Sequence, residues 1–365
     1  MTNSTTRSVV GVLAVATVMT LAGCSGGSSA PTAPPTSAAS TPSPIPTSTP
    51  TPPSSPTGTT ATTAGPPAIT APAARALLAR YSVSNNQANH SDNLSALSRI
   101  DTQTTFAEDK AYTRAGRVDG YDAGRFWSVP QRIAAVGGRS TARQYFFATT
   151  LTSAKPPKNG RAQGKTAPDL EVYAHTAHGW QLAESVGLPG GGSALPEYAA
   201  TTTGVVSPAG SVAGARNPRP LVTAALNDCT ASATSTLVSK PPDCGELDQL
   251  RQITGFAIHA HLDGRTWPSY SVALAGGQTL VVAAQEITIR VASRAGVQFR
   301  GPSIIAGLLG IRTSGASAIP RGYVEHAAAT VALVIPAAGG QAKTVGVETD
   351  PLSASRITTH TFTQT

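Results

Sequence analysis

The stretch from Ser25 to about Thr70 constrains the fold most, because it is almost entirely Ser, Thr, Pro, Ala and Gly, and no charged residue interrupts it before Arg75. Such a composition cannot bury enough apolar surface to offset the entropy of ordering the chain. Its Pro-rich pieces, such as Thr49-Pro50-Thr51-Pro52-Pro53, favour extended polyproline II backbone. Residues 24–70 are therefore expected to form a disordered linker, and any core must come from residues 71–365. At about 3.1 Å per residue such a stalk reaches on the order of 140 Å when fully extended. Dense Thr and Ser beside Pro is also the composition of O-glycosylated stalks.

What precedes the stalk explains why it is there. Arg7 supplies a positive start, Val9 to Leu21 an apolar run, and Leu21-Ala22-Gly23-Cys24 a segment of small residues ending in a thiol. The apolar run is short of the roughly 20 residues that a membrane-spanning helix needs, so it reads as the core of a signal peptide. Leu-Ala-Gly-Cys resembles the lipobox of bacterial lipoproteins. That resemblance implies that residues 1–23 are a signal peptide and that Cys24 carries a diacylglyceryl group. The mature chain is then lipid-anchored to the cell membrane on its extracytoplasmic face. Two or three acyl chains, at about 0.8 kcal/mol per buried methylene, anchor stably where one short chain does not.

The rest of the chain is poor in charge (13%) and in aromatic residues (5%), so its core must be built from Ala, Val, Leu and Ile. The net charge of +8 is spread along the chain, with Arg114, Arg117, Arg125, Arg132, Arg139 and Arg143 as the densest run. Outside the cell a diffuse positive field meets anionic head groups and wall polymers, which makes an envelope protein or an anionic wall polymer the expected partner. No basic stripe is interleaved with stacking aromatics, and nucleic acid is excluded as a partner on that ground.

Thr70-Ala71-Pro72 joins a capping residue to a Pro in the first turn, and Leu77, Leu78 and Tyr81 follow at helical spacing, which predicts a helix continuing to Ala88. Ser91 or Asp92 can cap a second, short helix carrying Leu94, Leu97 and Ile100. Runs at 133–136, 145–151, 170–175 and 180–186 are apolar or alternating and are separated by Gly, Pro and Asn, so they predict an antiparallel meander. Helices followed by a meander ending in Gly179-Trp180-Gln181-Leu182 resemble the cystatin-like or NTF2-like cone. With the lipobox, the stalk and an Ala-Arg-Tyr…Asn-Asn-Gln-Ala-Asn…Leu helix, the chain also resembles a family of uncharacterised actinobacterial lipoproteins. That family's folded part is a domain of unknown function, and the resemblance covers most of residues 70–190. It implies a fold and a location, and no activity. The Gly-Leu-Pro-Gly-Gly-Gly-Ser segment at 187–193 marks a domain boundary, since it lacks the Lys and Ser/Thr ending of a phosphate-binding loop. A helical piece at 245–253 follows, then strands at 256–262, 270–274, 280–292, 323–335 and 343–348. In the third of these Ile287, Ile289 and Val291 face one side and Glu286, Thr288 and Arg290 the other. The expected fold class is thus α+β. An N-terminal helix packs on a curved antiparallel sheet over residues 71–190, and a second β-rich α+β domain spans 191–365.

Besides Cys24 only Cys229 and Cys244 are present. An even pair in an oxidising compartment predicts a disulfide, which by the chain-entropy estimate contributes about 3 kcal/mol. From residue 71 onward neither Gly-x-Ser-x-Gly nor Ser-x-x-Lys occurs, so no catalytic residue is assigned. Asp101, Asp169 and Glu171 are available as acid or base at the floor of a cone-shaped cavity, with a place on the surface or in a cap as the plainer role. His259, His261 and Asp263 alternate on an expected strand, so all three share one face. A strand with a polar outer face has the same spacing and no fourth ligand stands nearby in sequence, so no metal ligand and no cofactor are assigned. His175 and His178 flank a turn and read as solvated, and His326 reads as a core or edge residue. The functional expectation is a non-catalytic binding or assembly module of the cell envelope. The alternative is an enzyme acting on a small molecule or cell-wall precursor in a cavity between helix and sheet. Substrate capture for a transporter is disfavoured by the lack of alternating βαβ units.

Overall fold

Thr70 opens the first helix as its sequence predicts: in extended backbone, its side chain accepts a bond from the amide of Ala73, with Pro in the first turn of α1 (Ala71–His90). The computed structural model describes residues 68–357, apart from 123, 137–142, 193–194, 200–204, 207–216, 232–234, 240–242, 245, 253–254, 294–295, 300–302 and 314–316. The signal peptide, Cys24, nearly all of the stalk and Arg139 lie outside the described residues. Helix α2 (Leu94–Ile100) is capped by Asn93, one residue beyond Asp92 and two beyond Ser91, the expected caps. A third helix, α3 (Gln103–Asp119), follows where none is expected. Its buried face is Thr104, Thr105, Asp109, Ala111, Thr113 and Ala115, small and polar residues that carry no hydrophobic periodicity. It ends at Gly120 in the left-handed region, as a helix stop requires.

The predicted meander forms with longer strands: β1 (Trp127–Val136), β2 (Tyr145–Lys158), β3 (Arg161–Thr176) and β4 (Gly179–Gly187). They pair antiparallel in the order β4-β3-β2-β1, and a two-residue β5 (Val205–Val206) joins β1 in parallel. Helices α4 (Arg219–Ala231) and α5 (Glu246–Arg251) follow, held together by the disulfide between Cys229 and Cys244, whose Cα atoms are 5.5 Å apart. A second sheet then forms from β6 (Phe256–Thr266), β7 (Tyr270–Ala273), β8 (Thr279–Ser293), β11 (Gly322–Ile335) and β12 (Lys343–Arg356). Its order is β12-β11-β8-β6, with β7 beside β8 further along the same edge. A short β9 (Val297–Phe299) and β10 (Ser317–Ile319) pair with each other, and α6 (Ile304–Leu308) lies between them in sequence. The fold is α+β with antiparallel sheets and few helices. Among the described residues no helix is long and apolar enough to cross a membrane.

Strand alternation sorts the core into three layers. One face of the first sheet packs Phe146, Ala148, Tyr173 and Leu182 against Leu78 and Tyr81 of α1. Its other face, with Tyr145, Phe147, Leu170 and Val172, meets Tyr270, Leu280, Val282, Ala332 and Val334 of the second sheet. The far face of the second sheet carries Val281, Ile287, Ile289 and Val331 onto α4, α5 and α6. The segments read as two domains, 71–190 and 191–365, thus meet in a shared middle layer, and β5 of the second segment joins the sheet of the first. Glycines allow the closest approaches: a Cβ on Gly307 would stand 2.5 Å from the Cα of Ala115, and one on Gly346 would stand 2.3 Å from the carbonyl oxygen of Gly187. Asp119 ties the end of α3 to the same region, since its carboxylate accepts bonds from the amides of Ser303 and Thr313.

Candidate functional site

Of the three carboxylates available for a cavity floor and more plainly read as surface or cap residues, none lies on the surface, and two come together beneath α1. Asp101 caps α2 and Glu171 sits on β3, two residues from Tyr173 on the face toward the helix. The hydroxyl of Tyr81 donates to Asp101 Oδ1 at 2.7 Å, and Asn85 Nδ2 donates to Asp101 Oδ2 at 3.2 Å. Asn89, one turn further along α1, donates to Asn85 Oδ1 at 2.6 Å. Glu171 Oε1 accepts from Ser128 at 2.7 Å and Thr150 at 3.2 Å, and its Oε2 accepts from Tyr173 at 2.8 Å. The rings of Tyr81 and Tyr173 meet edge to face at 5.6 Å and join the two carboxylates into one network. Burial, reinforced by Glu171 and Tyr81, pushes the Tyr173 phenol well above its ordinary range, so it stays protonated and remains a donor. All four carboxylate oxygens accept hydrogen bonds, and both residues are almost fully buried. Asp169, the third, is also buried, on the same strand face.

A further buried acid, Glu184, carries no signal in the sequence that singles it out. Glu184 on β4 is fully buried and lies between the sheets, with Thr104 of α3 on one side and Thr330 of β11 on the other. Burial pushes its carboxyl up to about 8, although both hydroxyls bond to Oε2. Thr104 Oγ1 lies 2.6 Å from Glu184 Oε2 and 2.8 Å from the carbonyl of Ala183. A hydroxyl carries one proton, so a neutral Glu184 that donates to Thr104, with Thr104 donating to Ala183, satisfies both contacts. Tyr270 is pushed up to about 12, first by burial and then by Glu184, and accepts a bond from Gln103. Gln103 begins α3 at φ 54°, a conformation unusual for a residue with a side chain.

The third cluster lies on the open part of the second sheet. The face of β8 that carries Leu280 and Val282 into the middle layer continues past the first sheet with Glu286, Thr288 and Arg290. Register sets His261 of β6 and His326 of β11 on either side of Thr288, and one more step along the same face of β6 brings Asp263 beside them. The hydroxyl of Thr288 donates to Asp263 Oδ2 at 2.6 Å and lies 3.0 Å from His326 Nδ1. His326 Nδ1 is 3.7 Å from Asp263 Oδ2 and 3.6 Å from Glu286 Oε1, and His261 Nε2 is 3.6 Å from Asp263 Oδ1. His326 is therefore a half-exposed member of a polar cluster, where its apolar neighbours in sequence suggested the core or an edge. Asp263, Glu286 and His326 are the described residues able to offer a metal ion three ligand atoms at once, all within 4.8 Å of one another. His259 shares the strand face but pairs opposite Arg290, outside this group.

The remaining expected features separate. His175 and His178 are exposed at the β3–β4 turn, His175 against the Trp180 ring. The basic run is not one patch. Arg117 pairs with Asp92, Arg132 bonds the carbonyls of Gly192, Leu195 and Pro196, and Arg143 lies over the Tyr270 ring and bonds the carbonyl of Ser269. No family model, curated protein or solved structure matches this chain.

Proposed function

We propose that this chain is a cell-envelope lipoprotein, anchored through Cys24 and a stalk, whose folded part is a non-catalytic binding or assembly module. The observation that carries the reading is the burial of Asp101 and Glu171 among core hydrogen-bond donors. Each oxygen that an acid–base mechanism would use already accepts a bond from a core hydroxyl or amide. Carboxylates so held are buried among core donors, Asp101 tying α1 to the end of α2 and Glu171 tying three strands together. This supports a binding module over an enzyme working in a helix/sheet cavity. The helix across the β1–β4 meander is consistent with a cystatin-like or NTF2-like arrangement for the first half. The Cys229–Cys244 bridge suits export to an oxidising compartment. Partners in this reading are the membrane through the anchor and an envelope protein or anionic wall polymer through the folded part.

Crosslinking in intact cells, followed by detergent solubilisation and recovery of the tagged full chain, tests the proposal. The expected result is a reproducible crosslink to one envelope component. Repeated recovery of the chain alone, with turnover of a wall precursor by the purified protein, would replace the proposal with the enzyme reading.

A further inference from the structure

We propose that Asp263, Glu286 and His326 form a binding site for a divalent zinc-class ion on the open face of the second sheet. Spacing is the first ground for it. The separations of His326 Nδ1 from Asp263 Oδ2 and Glu286 Oε1, 3.7 and 3.6 Å, are too long for direct hydrogen bonds. Zinc bound at roughly 2.0–2.1 Å by nitrogen and oxygen sets neighbouring ligand atoms about 3.3–3.4 Å apart in a tetrahedron. The nitrogen thus stands within a few tenths of an ångström of the distance that such an ion imposes between it and each carboxylate oxygen.

The outer oxygens support this arrangement. Asp263 Oδ1 faces His261 at 3.6 Å and Glu286 Oε2 faces Arg265 at 3.5 Å, while the other oxygen of each carboxylate faces His326. Basic groups behind two carboxylates, with the inner oxygens converging on an imidazole nitrogen, are the outer support that metal sites use to aim their ligands. Thr288 donates to the inner oxygen of Asp263 and lies 3.0 Å from His326 Nδ1, so a bound ion takes the place of the proton that Nδ1 shares with this hydroxyl. The register of β8 with β11 places Glu286 and His326, and Asp263, in the irregular stretch of β6 after Leu262, is held beside them by Thr288 and by the Gln285 side chain on its carbonyl. One nitrogen and two carboxylate oxygens without sulfur suit zinc, and a ring nitrogen disfavours calcium and magnesium. The side chains are between about a fifth and two fifths exposed, so an ion can enter and water can complete its coordination.

The test is zinc titration of the purified, metal-stripped full chain by calorimetry, with competition by excess magnesium. One zinc per chain is expected, retained against magnesium. His326→Ala and Glu286→Gln should each weaken it by at least about tenfold, as loss of a ligand does. His259→Ala, on the same face but outside the cluster, should leave it within about twofold of the parent, the scatter of a remote substitution. Circular dichroism establishes that the variants are folded, and Glu286→Gln decides the matter if His326→Ala does not fold. No zinc uptake, or uptake unchanged in a folded His326→Ala or Glu286→Gln chain, would overturn the proposal.

Discussion

Replacing Glu171 with alanine is expected to lower the unfolding free energy by about 2–4 kcal/mol, the range for buried donors left without an acceptor together with a small cavity. The loss follows from what the carboxylate holds. Ser128, Thr150 and Tyr173 all donate to it in a layer closed to water. Without the acceptor, buried donors lose their partners, at roughly 1–3 kcal/mol for each one left unsatisfied. Deleting the side chain also leaves a cavity between α1 and the sheet. Urea unfolding of Glu171→Ala and Glu171→Gln gives the comparison. Glutamine keeps one acceptor oxygen and the volume, so its loss should be the smaller. A Glu171→Ala protein within about 1 kcal/mol of the parent, the usual size of a surface change or less, would contradict a structural role for the network.

Glu184 predicts a dependence on pH of the opposite kind to that of an ion-paired carboxylate. Its carboxyl rises from 4.5 to about 8 on folding because burial penalises the charged form. Between those values the folded chain keeps a proton that the unfolded chain has released. Stability from this group is therefore complete below pH 4.5 and is lost progressively as the pH rises through about 8. The loss is on the order of a few kcal/mol, because each tenfold difference in proton affinity between the folded and unfolded chain corresponds to about 1.4 kcal/mol. Glu184→Gln keeps the neutral shape and removes the titration. The parent and variant should converge at low pH and separate toward pH 8, with the variant the more stable there. Equal slopes in the two proteins across that range would refute a neutral Glu184.

How much of this was legible in the sequence depended on the range of the interaction. Helix α1 was readable because its signals are adjacent: Thr70 caps it, Pro72 fits its first turn, and Leu78 and Tyr81 share its buried face. The meander was readable from short apolar runs and turn residues, although the strands extend further into polar ends. Helix α3 was not, since close packing of α6 against it requires Ala111 and Ala115 to be small, and small residues carry little hydrophobic signal. The shared middle layer was hidden for another reason. Residues around the Gly-rich segment at 187–193 look like a boundary, yet the amide of Gly187 donates to Glu348 of β12, far away in sequence.

The candidate sites divide in the same way. Alternation placed His261 with Asp263, and Glu286 with Thr288, each pair on one face of its own strand. Nothing local said that β6 and β11 flank β8, which is what brings His326 to both carboxylates. Asp101 and Glu171 were readable only as candidates for a cavity floor or as surface and cap residues, because the tyrosine and asparagine donors that bury them come from α1 and β3 and depend on the packing of helix on sheet.

The central claim is attachment to the envelope through Cys24, and Cys24→Ser in the full chain tests it most directly. Thiol lipidation needs the sulfur, whereas serine leaves the folded region from residue 71 onward unchanged. Cell fractionation should find the parent in the membrane fraction. The variant should be found outside it, with unfolding behaviour equal to that of the parent's folded region. A Cys24→Ser protein that remained with the membrane in the same amount as the parent would contradict the account.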